Sequence, residues 1–510
     1  MEHIALDIHR LIFNLLNLHT QIKFVCVTAF FKNNITITEL VEKKYARGLN
    51  NDIIKQDKFI GVTKLNIYNS KLTDINCLTN LKMLRAITFP INQLNHNLTE
   101  LHIPNNTIIT YLNHMTNLKI LDISHTNIPQ TGIIKLNLIQ LSAWQNNGIT
   151  DLNHMTNLKI LDIFGSTATQ SGIMGLNVVK LTINHNIYDV NHMPHLKILY
   201  ARGNSSIDQV GIRDLDLDEL YVSDNNKITN VNHMHHLRIL EADHNCGIDQ
   251  QGIMKLDLIN LYVNNNPKIL NVRHMKKLRV LEARLSCGIA QDGIIGLDLW
   301  ELKIKGNRKI FNVSHMKKLK SISCDAYVNI GDLNLSIVYF FGKENLFDIS
   351  NMNNLRLLYI NHYNINDSDV KNLNLVDLAI PDNNNITNLN HMSKLKRLNI
   401  RNVTTINDFG IKDLNLIGLN VNNNPNITNL NHMTNLEILH AEGTSGITQS
   451  GIKNLNLVKL YIRNNPKITN LNHMSNLEML YAQGHSGISS DSIKDLHLIN
   501  LIVRDNPNFD

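Results

Sequence analysis

Aromatic side chains are scarce, only 5% of 510 residues, so any core must be built from Leu, Ile, Val and Met. Cysteine is scarcer still. Cys26, Cys77, Cys246, Cys287 and Cys324 are too few and too scattered for a disulfide framework. Cys246 and Cys287 stand 41 residues apart at equivalent positions. Stacked two strands over they would lie about 10 Å apart, beyond the roughly 7 Å between Cα atoms that a bridge tolerates. Reduced thiols fit a soluble intracellular protein. No stretch reaches the ~18 consecutive apolar residues of a membrane span, so no membrane partner is expected. The first twenty residues carry Glu2, Asp7 and Arg10 among their apolar side chains, unlike a secretory signal. Strong charge of either sign is also missing. A net +6 over this length does not by itself call for nucleic acid. Nor is there a phosphate-binding Gly loop, a Ser-His-Asp context or a Cys/His metal spacing. The expectation is a non-enzyme with no cofactor and no metal.

What the chain does have is self-similarity, and this decides the fold. Asn-His-Met or a variant of it recurs with Met at 115, 155, 193, 234, 275, 316, 352, 392, 433 and 474, mostly about 41 residues apart. Each unit holds two halves. One runs from Leu258 through Leu261, Val263 and Asn266 to Ile269; the other from Leu237 through Leu240, Ala242, Cys246 and Ile248 to Gly252-Ile253. Such a half predicts a short strand with its apolar residues inward, then a turn closed by Asn. A coil of about 20 residues cannot bury its own apolar side and is stable only when stacked. Ile269, Val272, Met275 and Leu278 then recur every third residue, which suits 3-10 or extended turns on an outer wall. Gly252 is expected to serve as a turn or cap ahead of a short helical turn. About 23 strands are expected from Val62 onward, in one parallel sheet.

These features resemble leucine-rich repeats over residues 62–510. The resemblance implies an α/β solenoid, with a curved parallel sheet on its concave side and 3-10 or short helical turns outside. Two ladders follow from it. Asn106, Asn146, Asn186, Asn225, Asn266, Asn307, Asn383, Asn424, Asn465 and Asn506 are expected to bond the backbone of neighbouring coils. The His of the repeated phrase, from His114 to His473, cannot form a shared metal site, because equivalents two strands apart lie about 10 Å from one another. It is expected to be structural.

Residues 1–45 do not repeat and are expected to form a small helical segment, with 46–61 as a linker. Ile8, Leu11, Ile12, Leu15 and Leu16 make one helical apolar face. Asp7, Ile8, Ile12, Phe13, Leu16, Val27 and Phe31 match an F-box pattern, although Ala5 stands in place of its usual Pro and Thr28 in place of Cys or Ser. A helical cap for the first coil explains the same apolar face. The F-box resemblance implies docking onto a Skp1-like adaptor, with the solenoid selecting the substrate of a cullin-type ubiquitin ligase. Together with the richness in Asn and Ile, the combination is similar to proteins encoded by giant DNA viruses of amoebae, which implies the host cytoplasm. The alternative is a free-standing scaffold or inhibitor.

The concave face is the expected binding surface. Tyr200, Tyr221, Tyr262, Tyr359, Tyr461 and Tyr481 each follow the inward strand residue, and Trp144 and Phe164 lie two residues further along their strands. Exposed aromatics beside charge are typical interface anchors, whereas lateral packing along the sheet would occupy them internally. From Lys268 to Lys320, thirteen Lys and Arg face four acids, a local +9 that leaves −3 for the remainder. Arg284, Lys303 and Lys305 are expected on the concave side, available to an acidic protein segment. Other basic residues fall on the outer wall, which argues against nucleic acid.

Overall fold

A computed structural model describes residues 37–510, apart from 42–48, 68–71, 73, 87–93, 95–96, 343–348, 362–364, 497 and 510. The chain forms two compact units, Met1–Leu237 and Arg238–Asp510. Among the described residues the first carries ten strands and the second fourteen. Most are three residues long, all pair in parallel, and consecutive strands of a unit are neighbours. Twenty-three of the strands begin at or after Lys64. One more, Glu39–Leu40, pairs with Lys64–Leu65 and lies inside the stretch expected to be helical. The expected linker contains a short α-helix, Asn51–Ile54, capped by the Asn50 side chain, and a 3-10 turn at Asp57–Phe59.

Each coil follows from its apolar spacing. The middle residue of each strand is in register with its neighbours, as in Leu240–Leu261–Leu281–Leu302, and all four are fully buried. Burying one such side chain contributes about 1.5–3 kcal/mol, which a lone coil cannot collect. The period-three segment is held by bonds to the third residue back: Met275 N–H donates to the Val272 carbonyl and Leu278 N–H to that of Met275. The alternate halves carry 3-10 turns such as Ser171–Ile173 and Gln449–Ile452. This is the architecture of a leucine-rich-repeat solenoid.

The glycine of these turns is not a cap. A Cβ on Gly172 would sit 2.0 Å from the Thr150 carbonyl oxygen, and one on Gly451 1.9 Å from that of Thr428. Glycine is there because neighbouring backbones meet at that point. Gly252 lies likewise within a 3-10 turn, Gln251–Ile253, and is buried.

The Asn ladder forms at most of the expected positions; at Asn146 the amide donates to the Thr126 hydroxyl of the neighbouring coil rather than to backbone. Asn266 Nδ2 donates to the carbonyls of Ala242 (2.9 Å) and Ile248 (3.2 Å), and its Oδ1 accepts the N–H of Lys268. Asn225, Asn307, Asn465 and Asn506 repeat the two-carbonyl arrangement. In the coil after Leu181, Asn184 shares the position with Asn186, whose Nδ2 donates to the Ala168 carbonyl at 3.3 Å. Asn184 is 3% exposed and donates to the carbonyls of Ser166 and Ala168. This coil closes two residues early, so the amide three residues before the inward Ile187 is that of Asn184. The residue before each ladder Asn is commonly left-handed, as at Asn265 (φ 56°). Leu285 adopts the same conformation (φ 57°) without the short polar side chain that eases it.

The 319–350 region, where the repeat pattern breaks, is where strands lengthen to five residues: Ser321–Asp325, Ile337–Phe341 and then Leu357–Asn361. Lys343 lies outside the described residues.

Candidate functional site

The short strands present three rows of outward side chains: the first strand residue, the third, and the one two positions beyond it. Between them the inward residues are buried, so side chains on the rows can meet only each other or a partner.

In the unit Met1–Leu237 four sequence-predicted aromatics come together. Tyr200 and Tyr221 stack with ring centroids 4.2 Å apart and planes 3° from parallel. The Tyr221 hydroxyl donates to Glu219 at 2.8 Å; burial and that bond push its ionisation well above the usual tyrosine range. Lys180 lies over Tyr200 at 5.2 Å, and the Arg202 guanidinium lies 5.5 and 5.3 Å from the two rings. Trp144 and Phe164 sit beside this stack, 6.5 Å apart, with His125 edge-on to Trp144. They remain 41% and 44% exposed. A groove of about 520 Å³ is lined by Trp144, Phe164, Tyr200, Asp162, Arg202 and Asp224, among others. Burial raises the Asp162 carboxyl above its usual range, against the bond it accepts from the Phe164 N–H.

Nearer the first coils, His102 stands between Glu100 (2.6 Å) and Asp122 (3.7 Å). The flanking Asp122 and Glu100 carboxylates raise the imidazole above its ordinary value despite burial.

In the unit Arg238–Asp510 the predicted residues fall into three separate groups. Around Glu282, Arg284 approaches to 3.3 Å and Lys303 to 2.7 Å, while Lys303 also bonds Glu301 at 2.7 Å. The Tyr262 hydroxyl is raised by burial and by the nearby Glu282 charge. Further along, Lys305 sits 3.6 Å above the Phe341 ring, which is tilted against Tyr359 at 5.5 Å. Last, His440, Tyr461 and Tyr481 form a continuous stack with steps of 4.0 and 4.5 Å. Tyr200, Tyr221, Tyr359, Tyr461 and Tyr481 thus pack laterally against neighbouring rings, whereas Trp144 and Phe164 keep much of their surface exposed.

The basic segment is less available than its +9 implies. Arg284 and Lys303 are held by Glu282, Lys277 pairs with Asp257, and Lys318 pairs with Asp298. Lys268 and Lys309 donate to the carbonyls of Cys246 and Cys287. Those two thiols are buried and unbridged, and burial pushes each up to about 11.

Several residues went unnoticed in the sequence. Gln130, Gln170, Gln209, Gln250, Gln291 and Gln449 form a further ladder. Gln250 Nε2 donates to the Asn271 carbonyl, while its Oε1 accepts the N–H groups of Leu270 and Asn271. Their recurrence at the repeat interval was the signal. Most of the repeated histidines have a defined task as well: Nε2 reaches the carbonyl at the end of the preceding helical turn, as in His192 to Ile173 (3.0 Å) and His391 to Val370 (3.0 Å), whereas His154 Nε2 makes no such bond. Asp162, Arg202 and His440 share the strand-face rows with the aromatics and could have been found by writing out those rows. Asp7, Ile8, Ile12, Phe13, Leu16, Val27 and Phe31 lie outside the described residues.

Among the described residues no group of His, Cys, Asp or Glu is placed to hold a metal ion, and no helix is long and apolar enough to cross a membrane. No family model matches the chain, and no curated protein matches it. Solved structures with a similar course include the mouse RP105/MD-1 complex, at 14% identity over 82% of this chain and 85% of that one, TM-score 0.41. A TLR13–ssRNA13 complex matches at 17% identity over 88% and 71%, TM-score 0.37. The functional domain of InlJ from Listeria monocytogenes matches at 19% over 71% and 70%, TM-score 0.30.

Proposed function

We propose that this chain is a non-catalytic protein-binding scaffold, and that the strand face of the unit Met1–Leu237 is its principal contact surface. The observation that carries this is the pair Trp144 and Phe164. Two large aromatic rings stand 41% and 44% exposed over a groove, beside tyrosines that the fold has already packed. Such rings anchor interfaces because they bury large area at little entropic cost. The finer reading is a substrate-recognition subunit of a Skp1–cullin–F-box ubiquitin ligase, encoded by a giant DNA virus of amoebae and acting in the host cytoplasm. It rests on the sequence match from Asp7 to Phe31.

One affinity purification separates the two levels. A chain carrying Trp144→Ala and Phe164→Ala should lose its target while retaining a Skp1-like adaptor. A Leu16→Asp chain should lose the adaptor while retaining the target. Retention of every partner by the double variant removes the surface reading. Absence of any adaptor from the unmodified chain removes the ligase reading and leaves the free-standing scaffold.

A further inference from the structure

The groove beside Trp144 combines open aromatic rings with a carboxylate that forms no ion pair among the described residues. The strand-face acids elsewhere have partners: Asp122 has His102 and Ser124, Glu219 has the Tyr221 hydroxyl, and Glu282 has Arg284 and Lys303. Asp162 accepts the Phe164 N–H at 3.1 Å, and among the described residues no Lys, Arg or His forms an ion pair with it. Lys180 is close enough to lower its ionisation slightly but not to offset burial, and Asp122 adds repulsion. The aromatic rings show the same asymmetry. Lys180 and Arg202 lie over the tyrosine stack, whereas among the described residues no Lys or Arg lies over Trp144 or Phe164.

A ring face attracts a cation through its quadrupole, and the attraction grows as water is removed. A desolvated carboxylate gains most from a charged donor delivered to it. We propose that this groove seats one basic side chain, Arg or Lys, of an extended segment of a partner protein, with its charge on Asp162 and its stem against the Trp144 and Phe164 rings. This rests on the protein-binding reading given above and adds the chemistry of the partner. An acidic segment is repelled by Asp162 and finds Arg284 and Lys303 of the other unit already engaged by Glu282.

The chain itself supplies the reporter, because Trp144 and Trp300 are its only tryptophans. In full-length protein carrying Trp300→Phe, emission follows Trp144 alone. The probes are blocked hexapeptides, Thr-Val-X-Val-Thr-Val, with X as arginine, lysine, citrulline or glutamate. The arginine and lysine peptides should change the emission saturably. The citrulline peptide, equal in shape but uncharged, should bind about tenfold more weakly, the scale of one cation–aromatic contact plus one charge-assisted bond partly offset by desolvation. Asp162→Asn, which keeps the shape and the bond from Phe164 N–H, should erase the arginine-over-citrulline preference. Equal binding of arginine and citrulline, tighter binding of the glutamate peptide, no saturable response to any peptide, or a preference that survives Asp162→Asn each overturns the proposal. If the double aromatic variant still loses its target in the purification, the scaffold reading stands and only the basic-side-chain assignment falls.

Discussion

His102 in the unit Met1–Leu237 and His440 in the unit Arg238–Asp510 occupy the same third strand position, yet their surroundings drive them in opposite directions. His102 has carboxylates on both sides and is raised. His440 is stacked on Tyr461 and lowered by burial. The coil supplies identical backbone to both, and the neighbouring side chains decide the chemistry. The same contrast extends along each face. One unit leaves Asp162, Trp144 and Phe164 open, while the other closes Glu282 with Arg284 and Lys303. A repeat fold thus keeps its scaffold constant and varies its face, so a strand-face residue must be judged by its neighbours in adjacent coils.

The largest effect tests the half of this comparison that should not differ. Asn225→Ala and Asn266→Ala each leave two carbonyls and one N–H without their amide partner, one variant in each unit. At about 1–3 kcal/mol per buried unpaired group, partly relieved by water, each should cost about 3 kcal/mol. Thermal melting should show similar drops for both. A loss confined to one unit would mean the scaffold is not shared after all.

A smaller effect tests the half that should differ. Glu282→Gln releases Arg284 and Lys303 together. The cost should be about 1 kcal/mol, held down because the Arg284 side chain is 38% exposed and Lys303 keeps Glu301. Asp162→Asn should cost nothing in melting temperature, since it removes a desolvated charge without an ion-pair partner. Equal losses in the two variants would erase the distinction between a closed and an open face.

The smallest effect is pH-dependent and of opposite sign in the two units. A histidine raised on folding contributes stability that is complete below its unfolded value, about 6.5, and is lost as pH rises through the higher folded value. That is His102. One lowered on folding contributes stability present above about 6.5, lost as pH falls through the lower folded value. That is His440. On acidification from pH 8 to 5, His102→Gln should therefore fall in melting temperature relative to the unmodified chain, and His440→Phe should rise relative to it. Parallel trends would show that the flanking carboxylates and the tyrosine stack do not control these groups.

Much of the fold was legible because its constraints are local and repeated. Leu261 must face inward at its spacing, Asn266 must close the coil, and Met275 must follow Val272 by three. Where a coil lost two residues the count found only one of two amides: Asn186 reaches the neighbouring backbone as expected, but the more buried Asn184 does so as well. The strand at Glu39–Leu40 carries no repeat signature and emerges only through pairing with Lys64–Leu65. The aromatic positions were legible as a row, but not which of them would be occupied internally.

By itself, then, the sequence determined the parallel coils, their buried Leu and Asn rows and the outward placement of the tyrosines, because each depends on spacing within about 20 residues. Only the tertiary structure decided that Tyr200 stacks on Tyr221, that Glu282 neutralises Arg284 and Lys303, and that Asp162 shares a groove with the exposed Trp144 and Phe164 rings. Those outcomes depend on which side chains of adjacent coils meet across the sheet, about 4.8 Å apart, and such a meeting is a matter of register and rotamer rather than of pattern.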